Sequence, residues 1–459
     1  MLSAIVLAGG EGKRMKSDKC KVVHTILSKE LVCWVTDAAK DAGVNDICVV
    51  VGHKEEQVRA CLGDGFFYTT QKEQKGTGHA VMMAEEFLKD REGTVLVLCG
   101  DAPLVTSETL KGLIDTHVKN KNAGTLISAI IEDPKGYGRI VRNKTGSFEK
   151  ITEHRDCSQE ELKITECNAG MYCFEVGELL GALKEINCNN DQNEYYLTDV
   201  MEILVRKGGR VDTYVLSDNN EMYGVSDRLQ LAQSTEILRR RYVEKQMING
   251  VTFINPDSCY VSPDVQIGND TIIYPNCILE GKVEIGRDCV IGPDTNLRDV
   301  VIGNKTDIVK SVVNESKIGS NTKVGPFAYI RPGNVVGDHV KVGDFVELKK
   351  ANIGNGTKIS HLTYVGDADV GEECNIACGV VTVNYDGSKK FRTKIGDNCF
   401  IGCNVNLVAP VEIEDEAYIA AGSTIVNKVP AKALAIARER QITKEGWVET
   451  KGKYRRKGK

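Results

Sequence analysis

The second half of the chain repeats an aliphatic residue every six positions. Val261, Ile267, Ile273, Leu279, Ile285 and Ile291 keep this spacing. It resumes at Ile318, Val324, Ile330, Val336, Val342 and Leu348, and again at Ile395, Ile401, Leu407, Ile413, Ile419 and Ile425. Glycine often follows, as at Gly268, Gly286, Gly319, Gly337 and Gly396. An α-helix repeats every 3.6 residues and a half-buried strand every 2, so neither produces this period. A sustained six-residue repeat marks a parallel β-helix, expected here over residues 251–459 including a C-terminal tail. Four positions after the aliphatic, each coil turns a small side chain inward, a slot held by Thr271, Cys277, Cys289, Thr322, Ala328, Cys374, Cys399, Val405 and Ser423. Cysteine in that slot acts as a small hydrophobe. Core packing is therefore preferred over zinc for the pairs Cys374/Cys378 and Cys399/Cys403.

Residues 1–226 have a different rhythm. The apolar runs Ala4–Leu7, Ile47–Val51 and Val95–Cys99 alternate with helical patterns, which argues an α/β domain with a mainly parallel sheet. Ligands of such sheets bind beyond the carboxyl ends of the strands. LAGGEGKRM, Leu7 to Met15, stands at such an end. A phosphate-binding P-loop needs glycine where Leu7 stands and Ser or Thr where Arg14 stands, and a dinucleotide fingerprint needs glycine at Met15. What remains is a glycine loop whose N–H groups can approach phosphate, with Lys13, Arg14 and Lys21 to neutralise it. Asp101 follows another strand in CGDAPL, at the same edge, where a carboxylate can hold Mg²⁺. Gln71 in QKEQKGTGHA offers an amide to a base edge, and the stretch GYGRI, Glu153 and Asn168 could supply hydroxyl contacts to a sugar. Residues 227–250 read as a linker helix starting at a serine cap and stopping at Asn249-Gly250. Its run Arg239, Arg240, Arg241 reads as a solvated face rather than a nucleic-acid surface.

The order LAGGEGKRM, QKGTGHA, CGDAPL, GYGRI, ITEH, ECNAG resembles the sugar-1-phosphate nucleotidyltransferases, most closely their N-acetylglucosamine-1-phosphate uridyltransferase members. The resemblance implies a Rossmann-like nucleotidyltransferase fold and attack of a sugar 1-phosphate on the α-phosphate of UTP, releasing pyrophosphate. It assigns Leu7, Ala8, Gly9, Gly10 and Lys21 to the nucleotide, Gln71, Gly76 and Thr77 to uracil, and Gly138, Glu153 and Asn168 to the sugar. Asp101 is implied as an Mg²⁺ ligand. The second ligand of the family is the asparagine of Gly-Val-Asn, where this chain has Gly224-Val225-Ser226, so Ser226 takes that position with a shorter reach. Lys13 and Cys20 also depart from the family's usual residues.

A repetitive prism is a scaffold, and its function lies in what interrupts it. The interruptions are Arg331 in IRPG, Lys349 in ELKK, His361 in HLTY and the insertion NYDGSKKFRTK, residues 384–394. With two histidines in this half, a three-histidine metal site is disfavoured. VELKKANIGNGTKISHLTYVGD, ECNIACG and VNYDG resemble the acetyltransferase half of the bacterial bifunctional N-acetylglucosamine-1-phosphate uridyltransferase/glucosamine-1-phosphate acetyltransferases. That resemblance implies His361 as general base and Arg331, Lys349, Tyr364 and Asn375 as sugar-phosphate contacts. It implies acetyl-CoA contacts at Cys378, Asn384, Tyr385, Cys403, Ala421 and Arg438, with Cys378 and Cys403 replacing the family's common alanine and serine. It further implies a homotrimer in which His361 of one chain meets coenzyme A held against a neighbour.

The net charge of −5 gives no electrostatic case for nucleic acid. No apolar run approaches the roughly 20 residues of a membrane span. Sixteen scattered cysteines without a secretory leader point to free thiols and a cytoplasmic protein with small-molecule substrates. Two other readings stay open: a single-activity sugar-1-phosphate nucleotidyltransferase with a regulatory β-helix, and a non-catalytic assembly subunit.

Overall fold

The computed structural model describes residues 1–451, so the last residues of the C-terminal tail, 452–459, lie outside the described part. The chain divides into two compact units, Met1–Arg241 and the residues from Tyr242 onward.

The first unit is built on a sheet in the order Val211–Val215, Gly124–Ile130, Glu166–Glu175, Thr94–Cys99, Leu2–Leu7, Asp46–Val51, Phe67–Thr70. Neighbours along this path are parallel, except that Glu166–Glu175 runs antiparallel to both of its own. A hairpin of Arg139–Arg142 and Phe148–Thr152 joins through Cys167. Successive residues of the central strands enter opposite cores. Ile5, Val50 and Val97 pack with helices Val176–Leu183 and Thr198–Arg206, while Val6, Val49 and Leu98 pack with Leu31–Asp41 and Ser107–Asn120. Burial on both faces is why these strands read as unbroken apolar runs.

The linker helix spans Arg228–Ile248. Its cap differs from the sequence expectation: Asp227 Oδ1, not a serine oxygen, accepts from Gln230 N at 2.8 Å, leaving the Ser226 side chain out of that role. The arginine run is not a solvated face either. The Arg239 side chain is 1% exposed and pairs with Glu236, and Arg241 pairs with Asp218 and donates to the Leu104 carbonyl.

The second unit is a left-handed parallel β-helix whose three walls hold 11, 10 and 9 short strands among the described residues. Each rung pairs in register with the next, so Ile291, Ile308, Val324, Val342, Ile359 and Ile376 stack in one inward column. All eighteen six-residue aliphatics of the sequence pattern are buried, as are Cys277, Cys289, Cys374 and Cys399. The column continues from Ile376 to Ile401 despite the insertion, which leaves the wall at a corner and closes on itself through Tyr385 and Lys390. All sixteen cysteines are free thiols. Among the described residues no helix is long and apolar enough to cross a membrane.

Candidate active sites

In the first unit, Leu2–Leu7 ends flanked by its neighbours: Ala8 N–H donates to Val50 O at 2.8 Å and Gly100 N–H to Leu7 O at 2.9 Å. The chain then turns at Gly12, where φ is 65° and a Cβ would lie 2.7 Å from Lys21 Cβ. Conformation and crowding both exclude a side chain there. The turn delivers Glu11, Lys13 and Arg14 to a cleft of about 210 Å³ that Lys21 and Ser226 also line. The Lys21 ammonium pairs with the Asp101 carboxylate, and both side chains are largely buried. Val225 N–H donates to Asp101 O at 2.8 Å, and a Cβ on Gly224 would lie 3.5 Å from Asp101 Oδ1. The segment ending at Ser226 thus lies against Asp101. Carboxylate and hydroxyl oxygens are hard donors that suit Mg²⁺, and Asp101 already faces a cation in Lys21, so the donor set fits that ion.

Gln71 is buried, with Nε2 at 3.2 Å from Gly76 O and 3.0 Å from His79 Nδ1. Gly9 faces it closely enough that a Cβ would sit 3.3 Å from Gln71 Oε1, while Gly10 opens to solvent. Gln74, which sequence reasoning missed, ties this loop down by donating to Gly9 O at 2.7 Å. Gly76 is at φ 103°, pressed against Tyr195 O. Thr77 opens helix Thr77–Met82 and accepts from Leu197 N–H at 3.1 Å, so its hydroxyl holds a neighbouring segment.

Gly138, Glu153 and Asn168 come together. A Cβ on Gly138 would lie 3.6 Å from Glu153 Oε2 and 3.7 Å from Asn168 Cβ, and Asn168 N–H donates to Gly138 O at 2.9 Å. Asn168 stands where the register with Gly124–Ile130 shifts, an irregularity that re-aims a side chain. Burial raises the Glu153 carboxyl above the usual range and pushes Asp199 nearby up to about 6, with Glu202 and Glu153 adding repulsion.

In the second unit, His361 ends strand Lys358–His361, in register with Asp344 one coil earlier. Its Nδ1 is 2.5 Å from Asp344 Oδ1, and the imidazole remains half exposed. The hydrogen bond to His361 holds the Asp344 carboxyl below the ordinary range. Arg331 donates to Glu347 at 2.9 Å, and Glu347 is in register with Tyr364. Lys349 Nζ lies 3.8 Å from Asp367 Oδ2, which also accepts from the Asn384 amide, itself 3.4 Å from Tyr364 OH. Lys349 in turn pushes Lys390 below the ordinary lysine range. Two ammonium groups that close create a local demand for an anion. Asp344, Asp367 and Lys390 escaped the sequence reading. Tyr385 shapes the insertion, its OH donating to Gly387 O at 2.7 Å. Asn375 lies one coil beyond His361's strand, in register with Lys358 rather than with His361.

The remaining four residues, scattered in sequence, form one column on an edge that starts beside His361. Gly379 N–H donates to Leu362 O, Asn404 N–H to Cys378 O, Gly422 N–H to Cys403 O, and the Arg438 guanidinium to Ala421 O at 2.8 Å. One chain therefore supplies a continuous rail, rising about 4.8 Å per coil. The edge is convex and carries the exposed apolar side chains Phe345 and Leu362.

The nucleotidyl transferase family model matches residues 3–223, the GMPPB C-terminal domain model residues 248–353, and the bacterial transferase hexapeptide model residues 392–427. Similar proteins include the "Bifunctional protein GlmU" of Acetivibrio thermocellus, 54% identical over 99% of this chain and 98% of its own. The protein of the same name from Clostridium acetobutylicum is 52% identical, and that of Caldanaerobacter subterraneus subsp. tengcongensis 53%, each over 98% of both chains.

Proposed function

Because the chain belongs to the family of bifunctional GlmU proteins, we propose that its two clusters divide the two reactions of that family between them. The protein is a bifunctional transferase that makes UDP-N-acetylglucosamine, a cell-wall precursor, by acetylating glucosamine 1-phosphate and then uridylating the product.

For uridyl transfer, an oxygen of the sugar phosphate attacks the α-phosphorus of UTP in line while the bond to pyrophosphate breaks. Such displacements are driven by positioning and charge neutralisation. Lys21, the loop cations Lys13 and Arg14, and the N–H groups of Gly9 and Gly10 meet the phosphates, Ala8 N–H being held by Val50 O. Asp101 and Ser226 would hold Mg²⁺, which when bound neutralises charge on the phosphate oxygens. Gln71, held by Gly76, faces the base, and Gly138, Glu153 and Asn168 orient the acceptor sugar.

For acetyl transfer, the Nδ1–H donated to Asp344 leaves Nε2 of His361 with a free lone pair. Nε2 takes a proton from the amine of glucosamine 1-phosphate as nitrogen attacks the thioester carbonyl, and coenzyme A leaves as the thiol. General-base help of this kind contributes about 10²–10⁴-fold. Arg331, Lys349 and Lys390 clamp the sugar phosphate, with Tyr364, Asn375, Asn384 and Tyr385 around it. The rail from Cys378 through Cys403 and Ala421 to Arg438 follows acetyl-CoA.

The single observation carrying this reading is the His361–Asp344 pair at the foot of that rail, which a merely regulatory β-helix has no need of. The test is paired: pyrophosphate release from UTP with N-acetylglucosamine 1-phosphate, and thiol release from acetyl-CoA with glucosamine 1-phosphate. A purified chain giving one and not the other would overturn it. A convex edge lines one side of a substrate only, which supports a homotrimer whose neighbour closes the site. Light scattering should give about three times the chain mass of 50.3 kDa. Sixteen free thiols support a reducing, cytoplasmic setting.

A further inference from the structure

Away from both clusters, two helices of the first unit bring three metal-ligating side chains together. Glu30 immediately precedes helix Leu31–Asp41, Cys33 lies in that helix's first turn, and Cys61 comes from helix Glu55–Leu62. One ligand atom from each lies within 4.8 Å of the other two. Among the described residues this is the only such group. The two Sγ atoms are 3.3 Å apart, and both thiols are partly exposed, so an ion can reach them. Around tetrahedral zinc, with Zn–S near 2.3 Å, two sulfurs stand about 3.8 Å apart. The observed group is thus about half an ångström from that geometry, whereas a disulfide requires about 2.05 Å.

We propose that Glu30, Cys33 and Cys61 form a site for a borderline-soft divalent cation of the zinc class, with water as the fourth ligand. Thiolates select such ions over Mg²⁺, which separates this site from the hard oxygens of Asp101 and Ser226. The positive, N-terminal end of helix Leu31–Asp41 favours the thiolate of Cys33 that binding needs. Helix Glu55–Leu62 also carries Gln57, whose Oε1 accepts from Cys20 N–H at 2.8 Å, one residue before Lys21. A bound ion would brace the helix on which the nucleotide loop rests.

The test uses the full-length protein, reduced and stripped with chelator, then dialysed against Zn²⁺ alone or titrated with Co²⁺ alone. We expect about one Zn²⁺ per chain and a thiolate-to-Co²⁺ charge-transfer band with the visible absorption of a tetrahedral site. Both should be lost in Cys33→Ser and in Cys61→Ser, each verified as folded by circular dichroism and by retained pyrophosphate release. Glu30→Gln should weaken binding at least tenfold while keeping the thiolate band, and Cys188→Ser, outside the group, should change nothing. Uptake and spectra in Cys33→Ser and Cys61→Ser equal to wild type would overturn the proposal. So would a reduced protein that takes up no ion, including one that forms a Cys33–Cys61 disulfide when purified without reductant.

Discussion

His361 and Asp344 face each other across adjacent coils, Nδ1 to Oδ1 at 2.5 Å, because the parallel register sets them side by side. The carboxylate fixes which imidazole nitrogen carries the proton. Asp344→Asn preserves shape but can present N–H to Nδ1, which stabilises the opposite tautomer and removes the base from Nε2. Acetyl transfer should fall by about 10²–10³-fold with pyrophosphate release unchanged, measured by the two assays on one preparation.

Asp101 pairs with Lys21 and lies against the segment ending at Ser226. Asp101→Ala should abolish uridyl transfer and leave acetyl transfer near normal, since the two chemistries are proposed for separate clusters. An equal loss of both in a folded variant would contradict the division. Ser226→Asn extends the reach of the proposed second ligand and should lower the Mg²⁺ concentration giving half-maximal uridyl transfer.

Asp199 titrates near 6 in the folded protein against an ordinary value of 3.8 because burial disfavours its charge. The folded state therefore holds a proton that the unfolded state has released. The stability tied to this proton is fully present below about pH 4 and lost as pH rises through about 6. The full shift corresponds to about 3 kcal/mol, which solvent screening of a half-exposed carboxyl reduces to about 1. Asp199→Asn should raise the melting midpoint at pH 7.5 and lose that advantage near pH 4, read from thermal melts across the range.

Arg438 sits at the far end of the rail from His361. Arg438→Ala should raise KM for acetyl-CoA about tenfold while changing kcat little, because the proposed contact would be made equally before and during reaction. His361→Ala should do the reverse. Initial rates against acetyl-CoA concentration separate the two.

The repeat was legible because an inward slot recurs at fixed spacing, and every aliphatic named from it is buried. The glycine loop and Asp101 were legible as strand-end residues. What escaped depends on register or on distant partners. Asp344 gains meaning only when one coil lies on the next, and Lys390 only when its insertion folds back on Lys349. Asp227 won the helix cap from its serine neighbour because its carboxylate reaches Gln230 N–H. Arg239 is buried and pairs with Glu236 three residues before it, a pairing that a run of like charges conceals.

The β-helix is held by bonds from each coil to the next, so it is a stack of rungs rather than a core closed on all sides. The final described rung, Leu434–Ala435, pairs on one side only. Fraying or stepwise truncation from that end would strip the proposed coenzyme contacts in order, Arg438 first, then Ala421, then Cys403. His361 and Asp344, several coils deeper, would be lost last. Mild heating should accordingly weaken acetyl-CoA binding before it touches the base, and the loss should be graded rather than abrupt.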